Sequence, residues 1–261
     1  MTLIVGIRCE DGIVLGADGA ATLGALGGKT VQQPCRKLAK ISDCIIIGTS
    51  GPVGLGQIFS GTLQDLWTNN RLSGKSPHEA MAILREAFWQ HAEKEFKAAQ
   101  VTVPMLGQVS LESALSFTLL AMPLRKQPCL FQFNQQCSPE LASGDLPFIS
   151  IGSGQQLADP FLAFLRRVFW PTRMPKVTEG VLATVWSLDQ AIRTNPGGVG
   201  NPIQVMTLEK DGADWKVKEL GETDFSEHRQ AISTAESALA EFRTSFKPAP
   251  GDTEPPKPAT T

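Results

Sequence analysis

The first eighteen residues constrain the fold more than any other part of the chain. They read MTLIVGIRCEDGIVLGAD and contain two short apolar runs, at 3–7 and 13–17. The runs are joined by Glu10, Asp11 and Gly12, and an Asp-Gly pair between two apolar runs is typical of a β-hairpin. The sequence therefore predicts a buried strand at the start of the fold, with Thr2 immediately before it.

The composition indicates a globular chain with a sizeable core. Of 261 residues, 42% are hydrophobic, which is enough for one large domain. The 24 basic and 26 acidic side chains give a formal charge of -2, so no basic excess favours nucleic acid or an anionic membrane. No run approaches the ~18 to 20 apolar residues of a membrane span, and the start lacks a signal-peptide pattern. We expect a cytoplasmic protein with neither nucleic acid nor a membrane as a partner.

The cysteines and histidines show no pattern typical of a metal site or a disulfide framework. The five cysteines lack CxxC spacing and are odd in number, so we expect unpaired thiols. The three histidines lie far apart, without HExxH spacing. We therefore expect neither a metal nor a cofactor. The residues are Cys9, Cys35, Cys44, Cys129, Cys137, His78, His91 and His228.

Residue spacing predicts alternating blocks of strands and helices, which is typical of an α+β protein with two sheets, each covered on one face. The Gly- and Ala-rich segment 19–30 is predicted as a loop. We expect one domain over 1–246, and the Pro-rich segment 247–261 is predicted to be disordered. Strands are predicted at 3–7, 13–17, 37–41, 44–49, 114–122, 129–133, 148–151, 203–208 and 215–220, and helices from 53, from 77, at 157–169, at 177–192 and at 226–246.

The position of Thr2 suggests nucleophilic chemistry. Removal of Met1 would leave Thr2 with an amine beside its own hydroxyl, and such an amine can act as the base. An α-amine has a pKa of ~7.7 to 8.0, and a neighbouring cation lowers it. The reaction also needs a carboxylate to hold the cation and a backbone N–H to stabilise an oxyanion. Asp18, Lys37 and Gly51, all near predicted strand ends, are candidates for these roles.

Several motifs occur in the order found in one family. The chain contains TLIVGI, EDGIVLGAD, KLAKI and IIIGTSG near its start, and SIGSGQ at 150–155. In these motifs it resembles proteasome β-type subunits, which are threonine-type N-terminal-nucleophile hydrolases, over about residues 2–220. It is most similar to the bacterial homologue of betaproteobacteria, and less so to the ancestral β-subunit group. The resemblance implies a four-layer αββα sandwich of two antiparallel sheets flanked by helices.

The resemblance also implies roles for particular residues in a threonine endopeptidase. Thr2 would be the nucleophile and its amine the base. Asp18 would hold Lys37, and Lys37 would tune the threonine. The N–H of Gly51 would form the oxyanion hole, and Ser153 would join the hydrogen bonds around the amine.

Four further residues would contact the substrate if the resemblance holds. Ala21 and Thr22 would pair with the substrate backbone as an added strand. Cys35 and Thr49 would line the pocket for the residue before the cut, which would favour uncharged side chains. Alternatively, Cys35 and Thr49 are ordinary core-facing strand residues.

The implied partners are a peptide or unfolded protein and further copies of the chain. By similarity to the family, the chain would assemble into stacked rings, as two heptamers, that enclose the threonines. Folded proteins would need a separate ATPase or activator, or would be spared.

Two departures from the family pattern leave a second function open, and one of them is Ala20, which stands where many β subunits carry an arginine. The family usually carries D-x-x-S-G-G after its fourth helix, whereas this chain has RTNPGG. Arg193 stands at the Asp position and Pro196 at the Ser position, so Thr194 or Asn195 would have to replace the missing hydroxyl. A ring-forming scaffold without activity, or with very weak activity, is therefore the alternative.

A third interpretation, nucleotide binding at GALGGKT, fails on spacing. A phosphate-binding loop needs GxxxxGK[ST] before a helix, but Leu23 stands at the first glycine position and no helical pattern follows Thr30.

Overall fold

The structure, a computed structural model, describes residues 2–23, 31–106, 114–195 and 198–244. The strands are β1 (Ile4–Arg8), β2 (Gly12–Ala17), β3 (Ala20–Leu23), β4 (Val31–Pro34), β5 (Leu38–Ser42), β6 (Ile45–Ser50), β7 (Phe117–Leu124), β8 (Gln127–Phe133), β9 (Pro139–Leu141), β10 (Phe148–Ile151), β11 (Gln204–Asp211) and β12 (Asp214–Leu220). The helices are α1 (Val53–Thr68), α2 (Pro77–Leu106), α3 (Gln155–Phe169), α4 (Val177–Thr194) and α5 (Ser226–Thr244).

Two antiparallel five-stranded sheets form the centre of the fold. The first has the order β10-β1-β2-β11-β12 and the second the order β5-β6-β7-β8-β9, while β3 and β4 form a separate two-stranded ribbon. Side chains of α3 and α4 pack on the first sheet, and those of α1 and α2 pack on the second. A third cluster lies between the two sheets. The layers are therefore αββα, as the sequence and its family resemblance predict.

The apolar start of the chain is explained by the position of β1. This strand lies between β10 and β2, and successive side chains of a strand point to opposite faces. Val5 packs towards α3 and α4, whereas Ile4 packs between the sheets. Because both faces are covered, the strand reads as a continuous apolar run rather than as an alternating one.

Helix α2 begins with a capping box formed by Ser76 and Glu79. The Ser76 N–H donates to Glu79 Oε2 over 2.8 Å, and the Glu79 N–H donates to Ser76 Oγ over 3.3 Å. Pro77 occupies the first helical position, where its missing N–H costs nothing.

Three strands, β3, β4 and β9, differ from the sequence predictions. The segment 19–30 was expected to be a loop, but Ala20–Leu23 forms β3 because it pairs with Val31–Pro34. The short strand Pro139–Leu141, which pairs with β8, has no counterpart in the prediction. Helix α5 is described to Thr244, while the GALGGKT segment and the predicted disordered segment 247–261 lie outside the described residues.

The described helices include none that combines the length and the apolar character needed to cross a membrane. All five cysteines are unpaired thiols, as expected from their number and spacing.

Candidate active site

Asp18 is the centre of a buried hydrogen-bond network. It follows β2 and has no exposed surface. Its Oδ1 accepts from Lys37 Nζ over 2.6 Å and from the Leu3 N–H over 2.8 Å. Its Oδ2 accepts from the N–H groups of Ala20 and Gly200, each over 3.2 Å. Four donors therefore fix a carboxylate that would be costly to bury alone.

Lys37 is held beside Asp18 with little contact with solvent. The exposed fraction of its side chain is 7%. Burial lowers the pKa of Lys37, and the hydrogen bond and charge of Asp18 oppose that shift. The pair thus places a fixed positive charge in an environment with little water.

Gln204, the first residue of β11, fastens the chain segment that carries Lys37. Its Oε1 accepts from the N–H of Lys37 over 3.0 Å and from the N–H of Leu38 over 3.3 Å. Its Nε2 donates to the carbonyl of Cys35 over 2.6 Å. Sequence reasoning missed this residue. The available signal was a polar side chain at the second position of the mostly apolar run at 203–208.

Thr2 is wrapped by the turn between β10 and α3. Its backbone nitrogen donates to Ser153 Oγ over 3.2 Å, and its carbonyl accepts from the N–H of Gly154 over 3.1 Å. At Gly152 the φ angle is +96°, and a Cβ there would lie 2.3 Å from the Thr2 carbonyl oxygen. The turn thus needs a glycine, which explains the Gly-Ser-Gly motif that the sequence analysis singled out.

Gly51 follows β6 in a backbone conformation that side chains rarely adopt. Its φ angle is +135°. A Cβ at this position would lie 2.6 Å from the Leu115 carbonyl oxygen and 2.7 Å from Ser116 Oγ. Only glycine therefore fits where the chain turns from β6 towards α1.

A cavity of about 660 Å³ brings most of the predicted site residues together. Asp18 and Ser153 adjoin it through their bonds to Lys37 and Thr2. Thr22 lies in β3 opposite Gln32. The predicted residues that line the cavity are Thr2, Ala21, Cys35, Lys37, Thr49 and Gly51.

At the C-terminal end of α4, the side chains of Arg193 and Thr194 bond to partners other than Thr2. Arg193 is exposed and pairs with Glu236 of α5 over 3.3 Å. The Thr194 hydroxyl donates to the carbonyls of Gln190 and Ala191 in its own helix. Pro196 lies outside the described residues. Further along the chain, the N–H of Gly200 donates a hydrogen bond to Asp18.

A second cavity of similar volume lies along α2. Trp89, Phe96 and Leu115 contribute apolar surface to it, and none of the predicted site residues lines it. It therefore lacks the groups that the chemistry of a nucleophile requires. Within the described ranges, no group of three or more His, Cys, Asp or Glu side chains could hold a metal ion.

Comparison with solved structures defines the class of fold. The ancestral β-subunit of Yersinia bercovieri superposes with a TM-score of 0.70 at 17% identity, over 95% of this chain and 99% of that one. A structure from Pseudomonas aeruginosa, described as a helical assembly of the same kind of complex, gives 0.69 at 18% identity over 95% and 98%. The αββα sandwich of this chain is thus the fold of these ancestral β-subunits.

Sequence comparison adds the family. Residues 2–104 match the family model described as Proteasome subunit. A curated proteasome subunit beta of Methanococcus aeolicus is 27% identical over 229 residues, covering 84% of this chain and 91% of that protein. The family model, this relative and the shared fold together support a proteasome β-type family for this chain.

The solved structures named above belong to the ancestral β-subunit group, which the sequence analysis ranked below the betaproteobacterial homologue. At 17% and 18% identity they show the fold alone. The narrower assignment within the family therefore stays a prediction.

Proposed function

We propose that this chain is a threonine peptidase in which Thr2, exposed by cleavage of the Met1–Thr2 bond, is the nucleophile. The observation that carries the proposal is the Lys37 Nζ to Asp18 Oδ1 contact of 2.6 Å beside the cavity that Thr2 lines. A held cation next to the amine would keep part of it neutral at ordinary pH, so that it can accept a proton.

The chemistry follows from these positions. The Thr2 amine takes the proton of its own hydroxyl while Oγ1 attacks the carbonyl carbon of the scissile peptide bond. The N–H of Gly51 stabilises the negative oxygen of the tetrahedral intermediate. The C–N bond then breaks, the leaving nitrogen receives the proton from the amine, and an ester on Thr2 remains. Water, deprotonated by the same amine, hydrolyses the ester and restores the hydroxyl.

Substrates are peptides or unfolded proteins with an uncharged side chain before the cut. Small, neutral residues such as Ala21, Cys35 and Thr49 line the cavity and support this preference. A substrate backbone would pair with β3 at Ala21 and Thr22. A panel of peptides that differ only at the residue before the cut tests the preference, and fastest cleavage after Arg or Asp would contradict it.

The functional unit is an assembly of copies of this chain in the cytoplasm, with two stacked heptamers that enclose the threonines. Enclosure would spare proteins that open only locally, because a broadly specific peptidase cleaves any exposed chain. The solved ancestral β-subunit from Pseudomonas aeruginosa, described as a helical assembly, supports self-association of this fold. A separate ATPase would supply unfolded substrates.

The alternative is a ring-forming scaffold without activity, or with very weak activity. The observation that favours it lies at the C-terminal end of α4, where Arg193 pairs with Glu236 and the Thr194 hydroxyl bonds to a carbonyl of its own helix. Neither contact orients the amine of Thr2. Ser153, which accepts a hydrogen bond from the Thr2 nitrogen, is left to do so.

Intact-mass measurement after treatment with a threonine-directed covalent inhibitor separates the two functions. The peptidase should lack Met1 and gain one adduct, and Thr2→Ala should gain none. Thr2→Ser keeps a hydroxyl next to the amine and should still react. Retention of Met1, or the absence of any adduct on the wild type, would favour the scaffold.

A further inference from the structure

The side chain of Gln204 joins two segments that meet at the candidate site. Gln204 opens β11, where it pairs in register with Ala17 of β2, the residue before Asp18. Its amide bonds to residues 35–38, which lead from β4 into the start of β5, at three points: the carbonyl of Cys35 and the N–H groups of Lys37 and Leu38. One side chain therefore connects residues 35–38, the Lys37 segment, to β11, which pairs with the end of β2 just before Asp18.

The backbone of Lys37 needs such a partner because it lies outside both strands. β4 ends at Pro34 and β5 begins at Leu38. The Lys37 N–H is bonded instead by Gln204 Oε1 over 3.0 Å. A side-chain amide thus replaces a backbone partner at the residue whose ammonium is paired with Asp18.

The segment that leads into β11 also reaches the other member of the ion pair. The N–H of Gly200 donates to Asp18 Oδ2 over 3.2 Å, and the carbonyl of Gly200 accepts from the N–H of Gly19 over 2.8 Å. Residues 200–204 therefore contact both Asp18 and the Lys37 segment. The proposed chemistry makes no use of this stretch.

We propose that Gln204 is a positioning residue that sets the ammonium of Lys37 against Asp18 and Thr2. This inference rests on the proposed peptidase function for its kinetic consequence, but not for its geometric one. Gln204 acts through the Lys37 backbone, which fixes the point from which the side chain extends. Displacing that point by a fraction of an ångström would weaken the positive charge felt by the Thr2 amine, and the pKa of that amine would rise.

Three variants of the full chain test the role. Gln204→Leu removes the acceptor and the donor while keeping much of the volume. Gln204→Glu keeps an acceptor for the two N–H groups but loses the donor to Cys35. Gln127→Leu is the matched control, because Gln127 also begins a strand but is exposed on β8.

Peptide hydrolysis as a function of pH provides the kinetic measurement. Gln204→Leu should lower kcat on the order of 10- to 100-fold with little change in KM. It should also move the rising limb of the kcat/KM profile to higher pH, towards the ~7.7 to 8.0 of an unperturbed α-amine. Gln204→Glu should lie between Gln204→Leu and the wild type, and Gln127→Leu should match the wild type. A fall in kcat with an unmoved pH limb would show a merely structural effect and overturn the proposal.

Lysine acylation of the intact protein, read by peptide mass spectrometry, tests the geometry without requiring activity. The reaction of Lys37 relative to the exposed Lys97 should rise several-fold in Gln204→Leu and less in Gln204→Glu. Wild-type Lys37 reactivity in folded Gln204→Leu would overturn the proposal. If Gln204→Leu fails to fold, Gln204→Glu decides in the same way. A raised reactivity in a chain that hydrolyses no peptide would refute the proposed function while supporting the placement of Lys37 by Gln204.

Discussion

At the scale of single residues, the ion pair of Lys37 and Asp18 is the contact whose loss should be most costly. The exposed fraction of the Lys37 side chain is 7% and that of Asp18 is 0%. Removing one partner of a buried pair leaves a desolvated charge, which typically costs about 3–5 kcal/mol. We predict a loss of that size in the free energy of unfolding of Lys37→Met, measured by urea denaturation at fixed protein concentration.

The control is a lysine in an exposed pair. Lys40 contacts Asp43 over 2.6 Å at the surface, so Lys40→Met should leave the unfolding curve nearly unchanged. Equal midpoints for Lys37→Met and the wild type would contradict the buried-pair argument.

Predictability from sequence is uneven at this scale. Thr2 and Asp18 flank the neighbouring strands β1 and β2, and Lys37 and Gly51 flank the neighbouring strands β5 and β6, so each pair could be predicted from local motifs. The packing of one sheet on the other then brings the two pairs together. Gln204 bonds residues that precede it by more than 160 positions. This contact exists because β11 pairs with β2. The local sequence around Gln204 does not indicate which strand β11 pairs with.

At the scale of elements, the fit of α1 against β6 defines one wall of the cavity. A Cβ added at Gly56 would lie 2.3 Å from Thr49 Oγ1, and both residues line the cavity. We predict that the added methyl group of Gly56→Ala displaces the Thr49 side chain into the cavity and narrows it. The value of kcat/KM should then fall on the order of tenfold for peptides with the large side chains Leu or Phe before the cut. Peptides with Ala at that position should be affected less.

The same helix offers a matched control. A Cβ at Gly61 would meet no heavy atom within 4 Å among the described residues. Gly61→Ala should therefore keep the peptide preference and stabilise α1 by about 0.5–1 kcal/mol, because alanine loses less backbone entropy. The same change of preference in both variants would show that the helix, rather than the Thr49 contact, is responsible.

The elements found from sequence were those with strong local signals. α2 has a capping box, and β1 and β2 are joined by an Asp-Gly turn. β3 was missed because its Gly- and Ala-rich surroundings carry little strand preference, and its pairing with β4 alone makes it a strand. β9 is three residues long and starts with Pro139, which is tolerated at the first position of a strand.

At the scale of the whole molecule, apolar side chains on α3 are exposed. Phe164, Val168 and Phe169 have exposed fractions of 36%, 51% and 41%. An apolar patch of this kind commonly marks a contact with another protein, and further copies of this chain would cover it in the assembly that we propose. We predict that Val168→Asp shifts the protein to lower mass in light scattering after size-exclusion chromatography.

A variant on the opposite side of the sandwich controls for the added charge. Val101 of α2 is 65% exposed and is not part of the α3 patch. Val101→Asp should therefore leave the mass unchanged, whereas dissociation by both variants would place the contact elsewhere.

The turn around Thr2 has a practical consequence for work with this protein. The nitrogen and carbonyl of Thr2 are both bonded by residues 153–154, and Thr2 itself lines the cavity. Any affinity tag fused ahead of Met1 would start from that held position and lie beside the cavity in which we propose that peptides bind. Recombinant protein should therefore carry its affinity tag at the C-terminus. With an N-terminal tag, a lack of activity could result from the tag alone.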